Sequence, residues 1–373
     1  MHTQSNFRLL VVRLGAMGDI LHALPAVTAL RQAHPHWVID WVVEPRWRAL
    51  LAAESDSIRG DGPKPAQPLV DHLHLAATKV WRKAPLSSKT FHEINVLRSA
   101  LRAGEYDAVI DLQGAIRSAI VARLSGCRRR IGEAEPRERA ARWLFTERVP
   151  TRGAHVIEQD VELASAIAGD DLSPLEPWLP VDAGAEAWAE AIIASTPGQP
   201  AVLINPGAGW GAKRWPVERY GAVAQGLIDR GLRVLVNAGP GEEPLAEAIG
   251  EQTGGAATPL TCTLAQLIAL TRRVALAVAG DTGPLHLACA LGRPVVGIYG
   301  PTDPSRNGPF GTRFRVLRSP ESRRDHSRRA EPEAGLLTIV PREVLRAVDE
   351  LLCPVPSAGD PRVCPEPAEG SGK

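Results

Sequence analysis

The feature that most constrains this chain is a rhythm that runs along its whole length. Short, nearly uninterrupted apolar runs alternate with stretches of helical periodicity. RLLVVRL, VIDWVVE and YDAVIDLQG stand in the first half, and PAVLINPG, RVLVNAG, VALAVAGD and PVVGIYG in the second. Runs without polar alternation suit strands buried on both faces of a parallel sheet, and amphipathic stretches such as VERYGAVAQGLIDRG supply the covering helices. The expected fold class is α/β, with two doubly wound Rossmann-like domains facing across a cleft. A chain of 373 residues exceeds one compact core, and the rhythm pauses at SPLEPWLPVDAGAEAW, residues 173–188, before restarting at Ala201. The division is therefore expected at 1–182 and 183–352. The tail 353–373, rich in Pro, Gly and charge, is expected to be disordered.

Directly after the first apolar run stands RLGAMGDILHALP, residues 13–25. A strand, a glycine turn and an apolar helix open a nucleotide-binding unit, but the G-x-G-x-x-G spacing that lets a backbone close onto a pyrophosphate is missing. Where the helix begins there is a carboxylate, Asp19, at a place that in such units serves phosphate. Taken alone it also reads as a helix cap.

The second half places a polar cluster after each of three strands. NPGAGWGAKRWP, residues 205–216, is a glycine turn holding Lys213, and exposed N–H groups plus a cation make an anion cradle. NAGPGEEP, residues 237–244, brings Glu242 and Glu243 to a helix start, near where such sites set an acid on a ribose hydroxyl. In AGDTGPLHLA, Asp281, Thr282 and Gly283 lead from a strand into a helix bearing His286, whose first N–H groups and dipole favour a diphosphate. Each piece has a plainer reading as a cap, a packed histidine or a surface charge. Three such clusters at strand ends in one domain read together as a nucleotide-diphosphate site.

Charge composition narrows the partners. Lys plus Arg number 43 against 42 Asp plus Glu, so the net charge of +1 offers no global attraction to nucleic acid, and any basic function is local. The five cysteines are scattered without a C-x-x-C pair, which argues against a disulfide framework and a zinc site and favours a reducing cytoplasm. No signal architecture and no apolar stretch of spanning length is seen.

These motifs, with DWVVEPRW, VWRKA, YDAVIDLQGAIRSA and VPREVLRAVDELL, resemble the ADP-heptose:lipopolysaccharide heptosyltransferases, glycosyltransferase family 9 of the GT-B class, from residue 8 to about 352. DWVVE, WRK and YDAVIDLQG favour the type I branch over type II. The resemblance implies inverting transfer of L-glycero-D-manno-heptose from ADP-heptose to the first Kdo of Kdo2-lipid A in the lipopolysaccharide inner core. It implies Asp19 as general base. Lys213 would meet the donor phosphates, Glu242 the ribose, and Asp281, Thr282 and Gly283 the sugar and diphosphate, with His286 close behind. Lys79, Arg82, Lys83 and Arg137 would lie on the acceptor side. It further implies a cytoplasmic enzyme in peripheral contact with the inner-membrane surface, needing no cofactor.

No D-x-D acid pair occurs in the sequence, so metal-independent chemistry is expected. Two departures stand out. GAGWGA precedes Lys213 where some relatives carry hydroxyl residues, and a basic insertion, SRRDHSRRAEPEAG at 322–335, has no evident place. Trp47, Trp81 and the Arg128–Arg130 run read as packing and a solvated face. The competing classes are a Rossmann oxidoreductase, disfavoured by the missing glycine fingerprint, a catalytically silent GT-B binding protein, and a type II or III heptosyltransferase acting on an already heptosylated core.

Overall fold

The computed structural model describes residues 7–53, 64–324 and 329–353. The first half runs β1 (Arg8–Val12), α1 (Met17–Ala33), β2 (Val38–Val43), β3 (His72–Leu75), α2 (Thr78–Lys83), α3 (Ser88–Ala103), β4 (Ala108–Asp111), α4 (Ile116–Leu124), β5 (Arg130–Glu133), β6 (Glu147–Val149) and α5 (Val156–Ala168). The second runs α6 (Ala183–Ala194), β7 (Ala201–Asn205), α7 (Val217–Ile228), β8 (Arg233–Ala238), α8 (Glu243–Gln252), β9 (Thr258–Thr261), α9 (Leu264–Thr271), β10 (Leu276–Gly280), α10 (Gly283–Ala290), β11 (Val295–Tyr299), α11 (Pro304–Asn307), β12 (Phe314–Arg318) and α12 (Pro341–Leu352). The seven apolar runs of the sequence are β1, β2, β4, β7, β8, β10 and β11.

Each half forms one six-stranded parallel sheet, ordered β3-β2-β1-β4-β5-β6 and β12-β11-β10-β7-β8-β9. Counted within its own half, each has the doubly wound order 3-2-1-4-5-6. The topological switch therefore falls between β1 and β4 in one sheet and between β7 and β10 in the other, and ligands of such sheets sit at the carboxyl ends beside that switch. β4, β7, β10 and β11 are buried at every residue, as strands covered on both faces must be.

Helix α1 explains how the halves meet. It is buried along most of its length because it is enclosed by its own sheet, by α5 and, from the other half, by α10. One continuous apolar core accordingly runs from Leu9 and Val11 of β1 through Ile20, Leu24 and Val27 of α1 to Leu285 and Leu287 of α10. The turn into α1 needs a glycine. Gly15 has φ +142°, and a Cβ there would stand 2.6 Å from Trp47 Nε1. Residues 169–182, between α5 and α6, form no helix or strand and are fastened back by Trp178 N–H to Thr28 Oγ1 (3.3 Å) and Val181 N–H to the Pro65 carbonyl (2.8 Å).

Residues 354–373, most of the tail expected to be disordered, lie outside the described residues. Cys127, Cys262 and Cys289 are free thiols, whereas Cys353 is disulfide-bonded, a departure from the reading of the scattered cysteines. Among the described residues no helix is long and apolar enough to cross a membrane.

Candidate active site

At the switch of the second sheet the three polar clusters converge. Lys213 ends the short turn after β7 and its Nζ is ion-paired with Asp281 Oδ2, after β10. Asp281 Oδ1 lies 3.2 Å from His286 Nε2. Burial pushes the Asp281 carboxyl up, but the hydrogen bond from His286 and the Lys213 charge outweigh it and hold the group well below the usual carboxylate range. An ionised Asp281 at the head of α10, beside Lys213, leaves a cation and a helix N-terminus side by side. Thr282 is the N-cap of α10 and its hydroxyl bonds the Gly280 carbonyl (3.2 Å); Gly283 is the first residue of the helix.

Glu242 stands at the N-cap of α8, half-buried over the glycine turn of the lysine: a Cβ on Gly207 would overlap its carboxylate, and one on Gly239 would lie 3.0 Å from Oε2. Its neighbour Glu243 accepts its own N–H and that of Gly241, which hold its carboxyl below the ordinary range. Glu242 is thereby left to face the turn. The insertion at 322–335 finds its place here too. Among its described residues, the Arg329 carbonyl accepts from Ala212 N–H (3.1 Å) and Glu333 N–H donates to the Ala212 carbonyl (3.2 Å), bracing the lysine turn from outside.

Across from these clusters is the start of α1. Asp19 Oδ2 accepts the Ala16 N–H (2.9 Å), so the carboxylate does cap its helix, yet its side chain keeps 37 % exposure. Arg13, only 5 % exposed, donates from Nε to the Asp19 carbonyl (3.0 Å) and brings Nη2 to 3.7 Å from Oδ1. The DLQG motif supports this turn: Gln113 Oε1 accepts the Leu14 N–H (2.8 Å), while Asp111 Oδ1 accepts from Gln113 and Gly114 N–H and from Ser118. Burial still pushes the Asp111 carboxyl up to about 6.

Lys79, Arg82, Lys83 and Arg137, the cations expected on the acceptor side, follow strands of the first sheet at its carboxyl edge. Glu44, buried after β2, accepts from the Thr78 hydroxyl and from Lys79 N–H (3.1 Å), which fixes the start of α2. Partial desolvation lowers the Lys79 pKa, and Arg46, Arg117 and Arg82 press it further down against Glu44. Arg46 in turn stacks on Trp47, the ring that fills the Gly15 turn. Lys79, Arg82 and Lys83 are all exposed on α2. Arg137, also exposed, has its backbone over the β4–α4 turn, 3.1 Å from where a Cβ on Gly114 would stand. Trp81 packs in the core and bonds Glu93 (2.7 Å). Arg128 is exposed, while Arg129 and Arg130, half-buried, are tied to Glu147 and to the Leu144 and Cys127 carbonyls and secure β5 to its neighbours.

Three groups went unread in the sequence. His22 and His155 sit with His286 in a cluster of imidazoles, and Asp160 on α5 lies 3 % exposed with its Oδ2 unpartnered. Burial pushes Asp160 up to about 7, against the pull of Arg13 and with Asp19, Glu133 and Asp111 adding to the rise. An acid whose pKa is raised by folding takes up a proton as the chain folds. Stability then falls as pH rises from the unfolded value of about 3.9 to about 7, and the buried charge weighs in full above that. Asp160→Asn removes this slope. The melting temperature of the variant relative to wild type is expected to rise between pH 5 and pH 8, and an equal difference at both would contradict the assignment.

Comparison with known proteins gives the geometry its relatives. The family model glycosyltransferase family 9 (heptosyltransferase) matches residues 94–336. Lipopolysaccharide heptosyltransferase 1 of Escherichia coli K12 is 31 % identical over 326 residues, covering 84 % of this chain and 94 % of that protein. Lipopolysaccharide heptosyltransferase 3 of Escherichia coli is 27 % identical, covering 90 % and 96 %. The solved structure of E. coli heptosyltransferase WaaC with ADP-2-deoxy-2-fluoro heptose is 27 % identical and superposes with a TM-score of 0.70 over 92 % of this chain and 99 % of that one.

Proposed function

The chain belongs to glycosyltransferase family 9, the heptosyltransferases, with the GT-B fold of that class, and on that premise we propose that it transfers L-glycero-D-manno-heptose, with inversion, from ADP-heptose to the first Kdo of Kdo2-lipid A. The observation that carries this reading is the juxtaposition of two helix starts. The turn into α10 carries Asp281, paired with Lys213 from the turn after β7, and the start of α1 carries Asp19. Met17 and Gly18 of α1 lie directly against Gly283 and His286 of α10. A donor diphosphate seated on the α10 turn puts its anomeric carbon toward α1, where a carboxylate can accept the proton of an attacking hydroxyl from the face opposite the leaving ADP. A carboxylate is a weak base, so Asp19 contributes also by orienting the hydroxyl and by stabilising the oxocarbenium-like centre.

Charge developing on the departing diphosphate meets Lys213 and the N-terminus of α10, preorganised donors that perform the electrostatic work of catalysis. Glu242, half-buried over the glycine turn, would accept from the ribose hydroxyls. No D-x-D pair stands in the sequence, and turnover is expected to be unchanged by excess EDTA. Loss of turnover restored by Mg²⁺ would contradict that.

The acceptor side fits an anionic, carboxylate-bearing lipid sugar, since the guanidinium groups of Arg82 and Arg137 suit carboxylates and phosphates and Lys79 and Lys83 add compact charge. Work at a membrane surface follows from the same region. Residues 72–92 contain no Asp or Glu, and Val80, Leu86 and Phe91 are 56 %, 85 % and 53 % exposed there. A basic segment with exposed apolar groups suits peripheral contact with an anionic bilayer from the cytoplasmic side. The protein is expected to co-sediment with vesicles of phosphatidylethanolamine and phosphatidylglycerol but not of phosphatidylcholine, and Leu86→Asp/Phe91→Asp is expected to release it. Sedimentation unaffected by both changes would contradict the assignment. The donor and acceptor pair is tested by product mass. Heptose added to O-deacylated Kdo2-lipid A supports type I, whereas addition only to a core that already carries heptose assigns type II or III. Addition to neither returns the silent-binder reading.

A further inference from the structure

Two buried imidazoles join the halves of the molecule. His22 on α1 and His286 on α10 are each 6 % exposed, their rings meet edge to face at 4.4 Å between centroids, and His22 Nε2 lies 3.1 Å from His286 Nδ1. Gly18, one helical turn before His22, faces the same ring: a Cβ there would stand 2.9 Å from His286 Cδ2. Residues four apart share a helix face, so Gly18 supplies the clearance and His22 the bond. Ionised Asp281 can only accept, so His286 donates to it from Nε2, and the other ring nitrogen, Nδ1, is joined to His22 Nε2 by one hydrogen bond whose direction the tautomers set. Burial keeps His22 well below the usual histidine value, helped by His286, His155 and Arg13 and opposed by Asp281. His155 closes the other side with its ring 5.5 Å away. Its Nδ1 accepts the Ile157 N–H (3.2 Å), and Nε2 therefore donates to the Gly308 carbonyl (3.1 Å).

Resting on the roles given above to Asp19 and to the Lys213–Asp281 pair, we propose that His22 is a positioning residue for the transfer. It holds His286 across the boundary between the two sheets in the orientation that fixes Asp281, and so couples the helix carrying Asp19 to the turn that grips the donor diphosphate. The chain of contacts is continuous: His22 to His286 to Asp281 to Lys213. His22 touches no reacting atom in this account. Its effect passes through His286, and a misplacement of the donor turn relative to Asp19 is felt in kcat.

His22→Leu fills the site without a hydrogen-bonding group, His22→Gln restores an amide near Nε2 that can donate or accept, and His286→Leu removes the partner. Turnover of the full chain is expected to fall between about 10- and 100-fold in His22→Leu, with acceptor KM little changed, and to recover to within about fivefold of wild type in His22→Gln. The double variant His22→Leu/His286→Leu is expected to be no worse than His286→Leu alone, the mark of residues acting in series. ADP affinity by calorimetry reads the donor turn without the transfer step and is expected to weaken in His22→Leu and return in His22→Gln. Wild-type turnover in His22→Leu, multiplying losses in the double variant, or a Gln variant as poor as Leu would each overturn the proposal. A wild-type protein that transfers no heptose overturns the functional reading instead. Equal ADP affinity in wild type and His22→Leu would then overturn the role of His22 as well.

Discussion

Asp19→Asn is expected to lower kcat by about 10³-fold, within the range for loss of a positioned general base, while the melting temperature moves by only a few degrees. The two parts of the expectation come from different atoms. The amide oxygen of Asn can still accept the Ala16 N–H that Asp19 Oδ2 now takes at 2.9 Å, so the start of α1 keeps its cap. Arg13 keeps its 3.0 Å bond to the backbone carbonyl of residue 19. What disappears is the negative charge of the side chain, which the cap does not need and which Arg13 Nη2 meets only at 3.7 Å. Donor KM is expected to stay near wild type because the donor turn lies on the other helix. Steady-state kinetics with thermal denaturation on the same samples separates the two. A wild-type kcat reduces Asp19 to a cap, and a collapse of stability with kcat would do the same.

Lys213→Met is expected to act on catalysis and stability together. Removing a preorganised cation aimed at developing charge costs on the order of 10²-fold or more in kcat. It also strands Asp281, whose side chain is 9 % exposed and paired through Oδ2 with Lys213. Breaking such a pair from one side destabilises by about 3–5 kcal/mol, because an uncompensated charge stays buried. The double variant Lys213→Met/Asp281→Asn removes that charge and is expected to regain most of the lost melting temperature while remaining inactive. A double variant as unstable as the single one would show that the pair is not what holds the turn. The pH sense follows from Asp281. A carboxyl held low by its partners contributes stability that is present above the unfolded value of about 3.9 and is lost as the pH falls through its folded pKa.

The sheets were legible where their strands are buried on both faces. β1, β2, β4, β7, β8, β10 and β11 are continuous apolar runs, and each was read as a strand. β3, β5, β6, β9 and β12 were not: β3, β6, β9 and β12 are sheet edges, β5 lies one strand in from an edge, and HLHL, RIGE, ERV and TPLT carry too little apolar content to stand out. Lys213, Glu242 and Asp281 stood out as candidates because each lies in the loop that follows a long apolar strand, where doubly wound sheets bind ligands. His22 offered a weaker signal, a polar ring three residues after Asp19 inside the apolar run ILHALP. Its partner lies 264 positions away, and only the packing of α1 on α10 gives the ring a purpose. Asp160 is invisible for a related reason. It sits in an amphipathic helix like any surface acid, and its burial is decided by α1 and the sheet packing over it.

The central claim, that two facing helix starts from two sheets bring a base and a diphosphate grip together on one sugar, is tested most directly by ADP release. Purified protein with ADP-heptose and O-deacylated Kdo2-lipid A is compared with Asp19→Asn under the same conditions. The account predicts release that depends on acceptor and nearly vanishes in the variant. Acceptor-dependent release at the same rate in both proteins would contradict it.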